Sequence, residues 1–240
     1  MTVFLRIALG VLTGLSGLAV QAAELVSLET RAGVEQRLIL IEPEGEPVAS
    51  VVLFAGGKGA LQLSSLFGRP TMKWGMNNFL VRTRERFADH GMLVAVADAP
   101  SDMQSASGML GGFRASDDHV DDIDAVIAYL KARADVPVWL VGTSRGTESA
   151  THVAIHSTQA VSGLVLTSSM TVANADGIAV TDMDLERIRV PTMIVAHVAD
   201  GCSKTPPAGA QQIAARLSNA RRVEVRLFDG GDPPRSKPCR

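Results

Sequence analysis

Along the chain, short continuous apolar runs alternate with longer stretches whose apolar residues recur every three or four positions. The continuous runs fall at 37–42, 48–55, 93–98, 138–141, 163–167, 192–198 and 222–228. Several are near-unbroken Val, Leu and Ile, the pattern of strands buried on both faces of a parallel sheet. The first two flank a Pro-Gly-rich turn at 43–47 and read as a pair of strands. Helical spacing appears at 77–90, 117–133, 145–156 and 208–217; in the second, Val120, Ile123, Val126, Ile127 and Leu130 share one face. Strand then helix, repeated, predicts an α/β fold: a doubly wound, mostly parallel sheet with helices on both faces. Segments 59–76, 101–116 and 168–189 show neither period. They are expected as loops over one sheet edge, where substrate contacts collect.

The first 23 residues follow a different pattern. Arg6 precedes an apolar stretch over 7–20, and the small residues Val20 and Ala22 stand at the −3 and −1 positions before Ala23. One early cation, a short apolar segment and a small-residue cleavage site predict a secretory signal peptide over 1–23 rather than a membrane anchor. The expectation is one domain over 24–240, periplasmic or secreted, with no membrane association after cleavage. Loss of Arg6 would leave 22 basic against 25 acidic side chains, a net charge of −3.

Composition narrows the function. The full 240 residues are 46% hydrophobic and 20% charged, enough apolar content for one packed core. Only 4% are aromatic, the net charge is −2, and no basic stripe runs along the chain, which excludes a nucleic-acid partner. Five aspartates, 117, 118, 121, 122 and 124, open the second helical stretch. They are read as a solvated face complementing the helix dipole rather than as a cation site. Cys202 and Cys239 stand 37 positions apart. In an oxidising compartment such an isolated pair is expected to form a disulfide; the alternative is two unrelated thiols, and no C-x-x-C supports redox chemistry.

The chemistry concentrates where "VWLVGTSRGTESA" breaks from strand to helix. A serine forced into a tight strand-to-helix turn projects its hydroxyl above the sheet, and Gly142 and Gly146 on either side of Ser144 let strand and helix pass closely. The helix start behind it favours developing negative charge. Upstream, the run 51–55 ends in Gly56-Gly57-Lys58-Gly59. In acyl transfer one oxyanion N–H comes from the residue after the nucleophile, here Arg145, and another from a loop after an earlier strand, here near Gly57. Asp200 follows the run 192–198 at its C-terminal end, where it could hold an imidazole by Nδ1–H. Asp98 and Lys58 are further candidates for substrate contact, with capping and turn roles as the alternative.

The turn "GTSRG", the upstream "FAGGKG", and "HVADGCSKTPP" after a late strand together resemble the α/β-hydrolase superfamily, in particular its small exported members with a minimal cap. The resemblance spans residue 35 to the C-terminus. It implies an α/β-hydrolase fold and an esterase-like acyl transfer on a small-molecule ester or related acyl bond, with no cofactor and no metal. It assigns Ser144 as nucleophile, Asp200 as acid, and the amides of Arg145 and Gly57 as oxyanion donors.

That pattern also calls for a histidine after the last strand, and residues 229–240 contain none. The five histidines are 90, 119, 152, 156 and 197. His152 and His156 fall two and three turns along the helix after Ser144, and His90 reads as a helix C-cap. His197 and His119 remain as candidates near the sheet's upper edge. If neither serves, the chain is shortened just before a His-Gly pair or the protein is an inactive descendant. A serine without its imidazole loses roughly 10⁴ to 10⁶ in rate. Two functions stay open: a serine hydrolase with feeble turnover in this form, and a non-catalytic module that holds a small ligand in the same crevice.

Overall fold

A computed structural model describes residues 23–232 and Cys239. The segment read as a signal peptide therefore lies, but for Ala23, outside the described residues. The chain runs β1 (Ala23–Arg31), β2 (Val34–Ile41), β3 (Ala49–Phe54), β4 (Leu63–Leu66), β5 (Arg69–Met72), α1 (Phe79–Asp89), β6 (Met92–Ala97), α2 (Asp117–Arg133), β7 (Val138–Thr143), α3 (Gly146–His156), β8 (Gly163–Thr167), β9 (Thr192–His197), α4 (Gly209–Arg216) and β10 (Val223–Phe228).

Eight strands form one sheet in the order β1-β2-β6-β3-β7-β8-β9-β10. From β6 to β10 every pairing is parallel; β1 and β2 join antiparallel at one edge. The expected doubly wound sheet is thus present. β2 and β3 are not partners, however, because β6 lies between them. A turn-linked pair of apolar runs predicts neighbours only when both strands can share an edge, and β3 is occupied on both sides by parallel partners.

Period-2 side chains of the central strands feed two cores. Ile39, Val51, Leu53, Val94 and Val96 pack with Leu80, Val81 and Ala88 of α1 on one face. Leu40, Val52, Phe54 and Leu140 pack with Ile123, Ile127 and Leu130 of α2, Val153 of α3 and Ile213 of α4 on the other. Among the described residues, helices cover both faces, one on the first and three on the second.

Two expectations need correction. Segment 59–76 is not only loop: β4 and β5 form a hairpin whose turn holds Phe67 and Gly68 at positive φ. Pro70 and two adjacent serines mask the strand signal there. The aspartates of α2 are not a uniformly solvated face. Asp117 and Asp118 lie in the first turn as expected, but Asp122 is 0% exposed and Asp124 is also buried. Asp122 accepts from Arg31 Nε at 2.9 Å and from Thr30 Oγ1. Asp124 accepts from the Thr158 N–H at 2.9 Å and from Ser157 Oγ. Buried carboxylates persist only when such donors replace water; here they fasten α2 to β1 and to the end of α3.

Among the described residues, no helix is long and apolar enough to cross a membrane. Cys202 and Cys239 form a disulfide, with their Cα atoms 4.9 Å apart.

Candidate active site

The strand order reverses direction at the centre of the sheet. From β3 the chain moves outward to β6, then returns across to β7 on β3's other side. In open α/β sheets, ligand crevices form at the carboxyl ends of strands flanking such a reversal. Two segments meet at this crevice: the glycine-rich loop after β3 and the turn after β7.

Ser144 occupies the turn with φ +51°, in the left-handed region. L-residues avoid this region because Cβ crowds the following carbonyl, at about 1–2 kcal/mol. The conformation is held by neighbours: Ser144 N–H donates to Thr167 O at 3.0 Å, and Ser144 O accepts from the Thr147 N–H at 2.9 Å and from Thr147 Oγ1 at 2.6 Å. The flanking glycines are sterically required. A Cβ on Gly142 would strike the Gly146 carbonyl, and one on Gly146 would strike the Phe54 carbonyl, both closer than real Cβ atoms come. Helix α3 starts directly behind the serine, so its N-terminal dipole end faces the crevice.

The loop after β3 lies against this serine. A Cβ built on Gly56 would be 3.1 Å from Ser144 Cβ and 3.2 Å from Asn78 Nδ2. Gly57 follows with φ +61°. The loop is anchored from beneath on two sides. Arg114 Nη2 donates to Ala55 O at 3.0 Å and to Gly57 O at 3.2 Å, while Asp98 accepts from the N–H groups of Leu61 and Leu63 at 2.6 and 2.9 Å. Asp98 is buried, and burial raises its pKa even though backbone donors oppose this. Its structural role thereby prevails over substrate contact. Lys58 instead places its ammonium 5.0 Å from the Trp74 ring centroid.

The Arg145 side chain is buried. Its guanidinium donates to Glu148 at 3.1 Å, to Asn174 and, at 3.4 Å, to Asp176. Burial pushes the Glu148 carboxyl up to about 7, against the attraction of Arg145 and Arg114.

Asp200 follows β9, two strands from β7 in the sheet, which sets it roughly 10 Å away across the strand ends. Its Oδ1 accepts from the Cys202 N–H and its Oδ2 from Thr205 Oγ1, both at 2.9 Å. The carboxylate is thus held at the crevice rim by its own turn, and each oxygen keeps a further lone pair.

The two histidine candidates sit in different surroundings: the His197 ring is hydrogen-bonded on both nitrogens, and the His119 ring is buried with neither nitrogen partnered. His197 Nδ1 accepts from the Ala199 N–H at 3.1 Å, so the proton sits on Nε2, which donates to Gly230 O at 2.9 Å. Both ring nitrogens of His197 are thus used locally. His119 is 1% exposed, sits edge-on to Phe54 and against Phe113, and is held neutral by burial with its pKa lowered to about 3. Its place at the start of α2 after a long loop suggested a position near the sheet's upper edge, but the ring is turned into the core. His152 and His156 stack on each other along α3 with centroids 4.3 Å apart. His90 caps α1, as its place before Gly91 suggests.

Arg114, Asn78, Glu148 and Asn174 were not distinguishable in sequence. Arg114 and Asn78 lie in or beside segments without a period, and their significance comes from partners far along the chain. Among the described residues, no group of three or more His, Cys, Asp or Glu is placed to hold a metal ion.

Comparison with known proteins adds a context. A sequence family described as serine aminopeptidase, S33, matches residues 77–181, a span containing β6, α2, β7, Ser144 and α3. Among solved structures, the chain is similar to an α/β serine hydrolase without lid from Xanthomonas campestris (15% identity, TM-score 0.59, covering 87% of this chain and 84% of that one). It is also similar to an esterase from Pyrococcus furiosus (14%, 0.63, 88% and 84%). A third is a thermophilic esterase from the Planctomycetes species Thermogutta terrifontis (19%, 0.59, 88% and 82%). No curated protein sequence gives a significant match.

Proposed function

The chain is an α/β-hydrolase-fold protein, and from that premise we propose that it is a serine hydrolase of small-molecule esters or related acyl compounds, with Ser144 as nucleophile. The observation that carries this reading is the left-handed Ser144 at the end of β7 with Gly56 pressed against it. Strained backbone at a crevice is a mark of functional sites. In the reaction, Ser144 Oγ bonds to the acyl carbon as its proton passes to a base, and the carbonyl oxygen takes negative charge. The Arg145 N–H at the start of α3 and an N–H of the Gly56-Gly57 loop stabilise that charge. Collapse of the adduct expels the alcohol with a proton and leaves an acyl-enzyme, which water then cleaves. Asp200 is assigned to orient the imidazole of the base.

His197 spends both ring nitrogens on Ala199 and Gly230, and His119 is buried against Phe54 and Phe113; with no histidine assigned as the base, turnover is expected to fall roughly 10⁴ to 10⁶ below that of a complete triad. The same observation favours a second reading, a non-catalytic protein that holds an acyl-bearing ligand in the crevice. A fluorophosphonate probe separates the two, because it labels Ser144 only when the hydroxyl is activated. Labelling lost in Ser144→Ala, together with slow hydrolysis of p-nitrophenyl acetate, supports the hydrolase; no labelling of the wild type supports the binding module.

We also propose export to the periplasm or beyond, supported by the segment 1–23 and by the Cys202–Cys239 disulfide, which persists in oxidising compartments. Peptides collected from exported protein should begin at Ala23 or Glu24. An intact Met1 terminus on mature protein would refute this.

A further inference from the structure

Arg114 lies in a segment with no period, yet it is among the largest fully buried side chains of the protein. Burial of a guanidinium is costly unless its donors are matched; here Nε has no partner, but both terminal nitrogens have specific ones. Nη2 donates to the carbonyls of Ala55 and Gly57, and Nη1 donates to Ser149 Oγ at 2.7 Å. The first two belong to the loop pressed against Ser144. The third belongs to α3, which begins two residues after Ser144. One rigid planar group therefore joins the two halves of the crevice from below.

Its effect on the loop follows from peptide geometry. In a trans peptide the N–H points opposite to the preceding C=O. Drawing the Ala55 and Gly57 carbonyls down to a buried guanidinium turns the N–H groups of Gly56 and Lys58 to the other side, and confines the peptide unit between them. Glycine backbone has little conformational preference of its own, as the φ of +61° at Gly57 illustrates. The orientation of this loop must come from an external tether. Asp98 fixes only the later part, at Leu61 and Leu63, and Lys58 O is held by the Met109 N–H at 2.8 Å.

We infer that Arg114 is a positioning residue: by gripping Ala55 and Gly57 of the β3 loop and Ser149 of α3 together, it fixes the oxyanion-donor loop relative to Ser144. It touches no substrate and acts through the backbone it holds. The inference rests on the serine hydrolase reading for its catalytic consequence, but not for the tether itself.

Three variants test it: Arg114→Met, Arg114→Lys, which keeps the charge but lacks the planar fork needed to reach Ser149 and two carbonyls at once, and Ser149→Ala, which releases only the α3 anchor. Each is first checked for a cooperative thermal transition, and Arg114→Lys and Ser149→Ala remain informative should Arg114→Met fail to fold. Two readouts follow. Amide hydrogen exchange over 55–60 should accelerate at least tenfold in the Arg114 variants, with exchange in β8 and β9 unchanged. For p-nitrophenyl acetate, kcat should fall about 10- to 100-fold with KM within about threefold, since misplaced donors weaken transition-state more than ground-state binding. Ser149→Ala should show the same split at smaller amplitude. Unchanged exchange over 55–60 in a folded Arg114→Lys overturns the tether whatever the activity. Faster exchange with unchanged kcat overturns the catalytic role. A wild type that neither hydrolyses ester nor takes a fluorophosphonate label refutes the hydrolase reading and with it the catalytic role, while the exchange experiment still decides the tether.

Discussion

Of two replacements that remove the Ser144 hydroxyl, glycine should leave the protein more stable than alanine. Alanine removes the hydroxyl but keeps Cβ, so it inherits the left-handed backbone at φ +51°. Glycine removes Cβ as well and relieves about 1–2 kcal/mol of crowding. Against this, glycine gains about 0.4–1 kcal/mol of freedom in the unfolded chain. The difference leaves Ser144→Gly about 1 kcal/mol more stable than Ser144→Ala. For a domain of this size that corresponds to about 2–4 °C in Tm. The comparison is between two variants that both lack the hydroxyl, so any hydrogen bond of Oγ cancels. The assay is thermal unfolding followed by circular dichroism at fixed pH, with ester hydrolysis measured in parallel and expected to be absent in both. A Ser144→Gly protein no more stable than Ser144→Ala would show that the turn after β7 is not strained, and the main support for a nucleophile at this position would be lost.

Three further outcomes are expected. The neutral, buried His119 binds fewer protons folded than unfolded between pH 6.5 and about 3, so its contribution to stability is lost as pH falls through that window. His119→Leu should recover much of that loss, on the order of 3 kcal/mol between pH 7 and pH 4, in unfolding titrations compared at those two values; equal acid sensitivity would refute it. Glu148 has the opposite sign: its pKa is raised to about 7, so the folded state holds the extra proton and stability declines as pH rises from about 4.5 through 7. Glu148→Gln should flatten that decline, by up to about 3 kcal/mol, and a parallel pH profile in variant and wild type would count against it. Reduction of the Cys202–Cys239 disulfide, which closes a separation of 37 residues, should cost about 4 kcal/mol by the chain-entropy estimate, read as a lower denaturation midpoint in reductant. An unchanged midpoint would show that the bridge constrains little in the unfolded chain.

The amino-acid sequence by itself determined the sheet and the site's first element. Uninterrupted runs such as Leu93 to Ala97 can be satisfied only by burial on both faces, so they announce central strands whatever their neighbours are. The Gly142-to-Gly146 turn was legible for a similar reason: only glycine permits that approach of strand, helix and the Phe54 carbonyl, and the constraint is written in the residues themselves. Edge strand β1 was not legible, because its alternating half-exposed pattern carries charges at Glu24, Glu29 and Arg31 that an interior strand would not tolerate. Tertiary structure alone decided which polar groups are buried. Arg31 meets Asp122 across 91 positions, and Arg114 meets Ala55 across 59. It also settled the fates of His119 and His197, one turned into the core and the other closed on Gly230. Hydrophobic burial is a property of each residue and repeats with the period of its element. The burial of a charge or an imidazole depends on a partner brought near through space, and no local pattern records which one that will be.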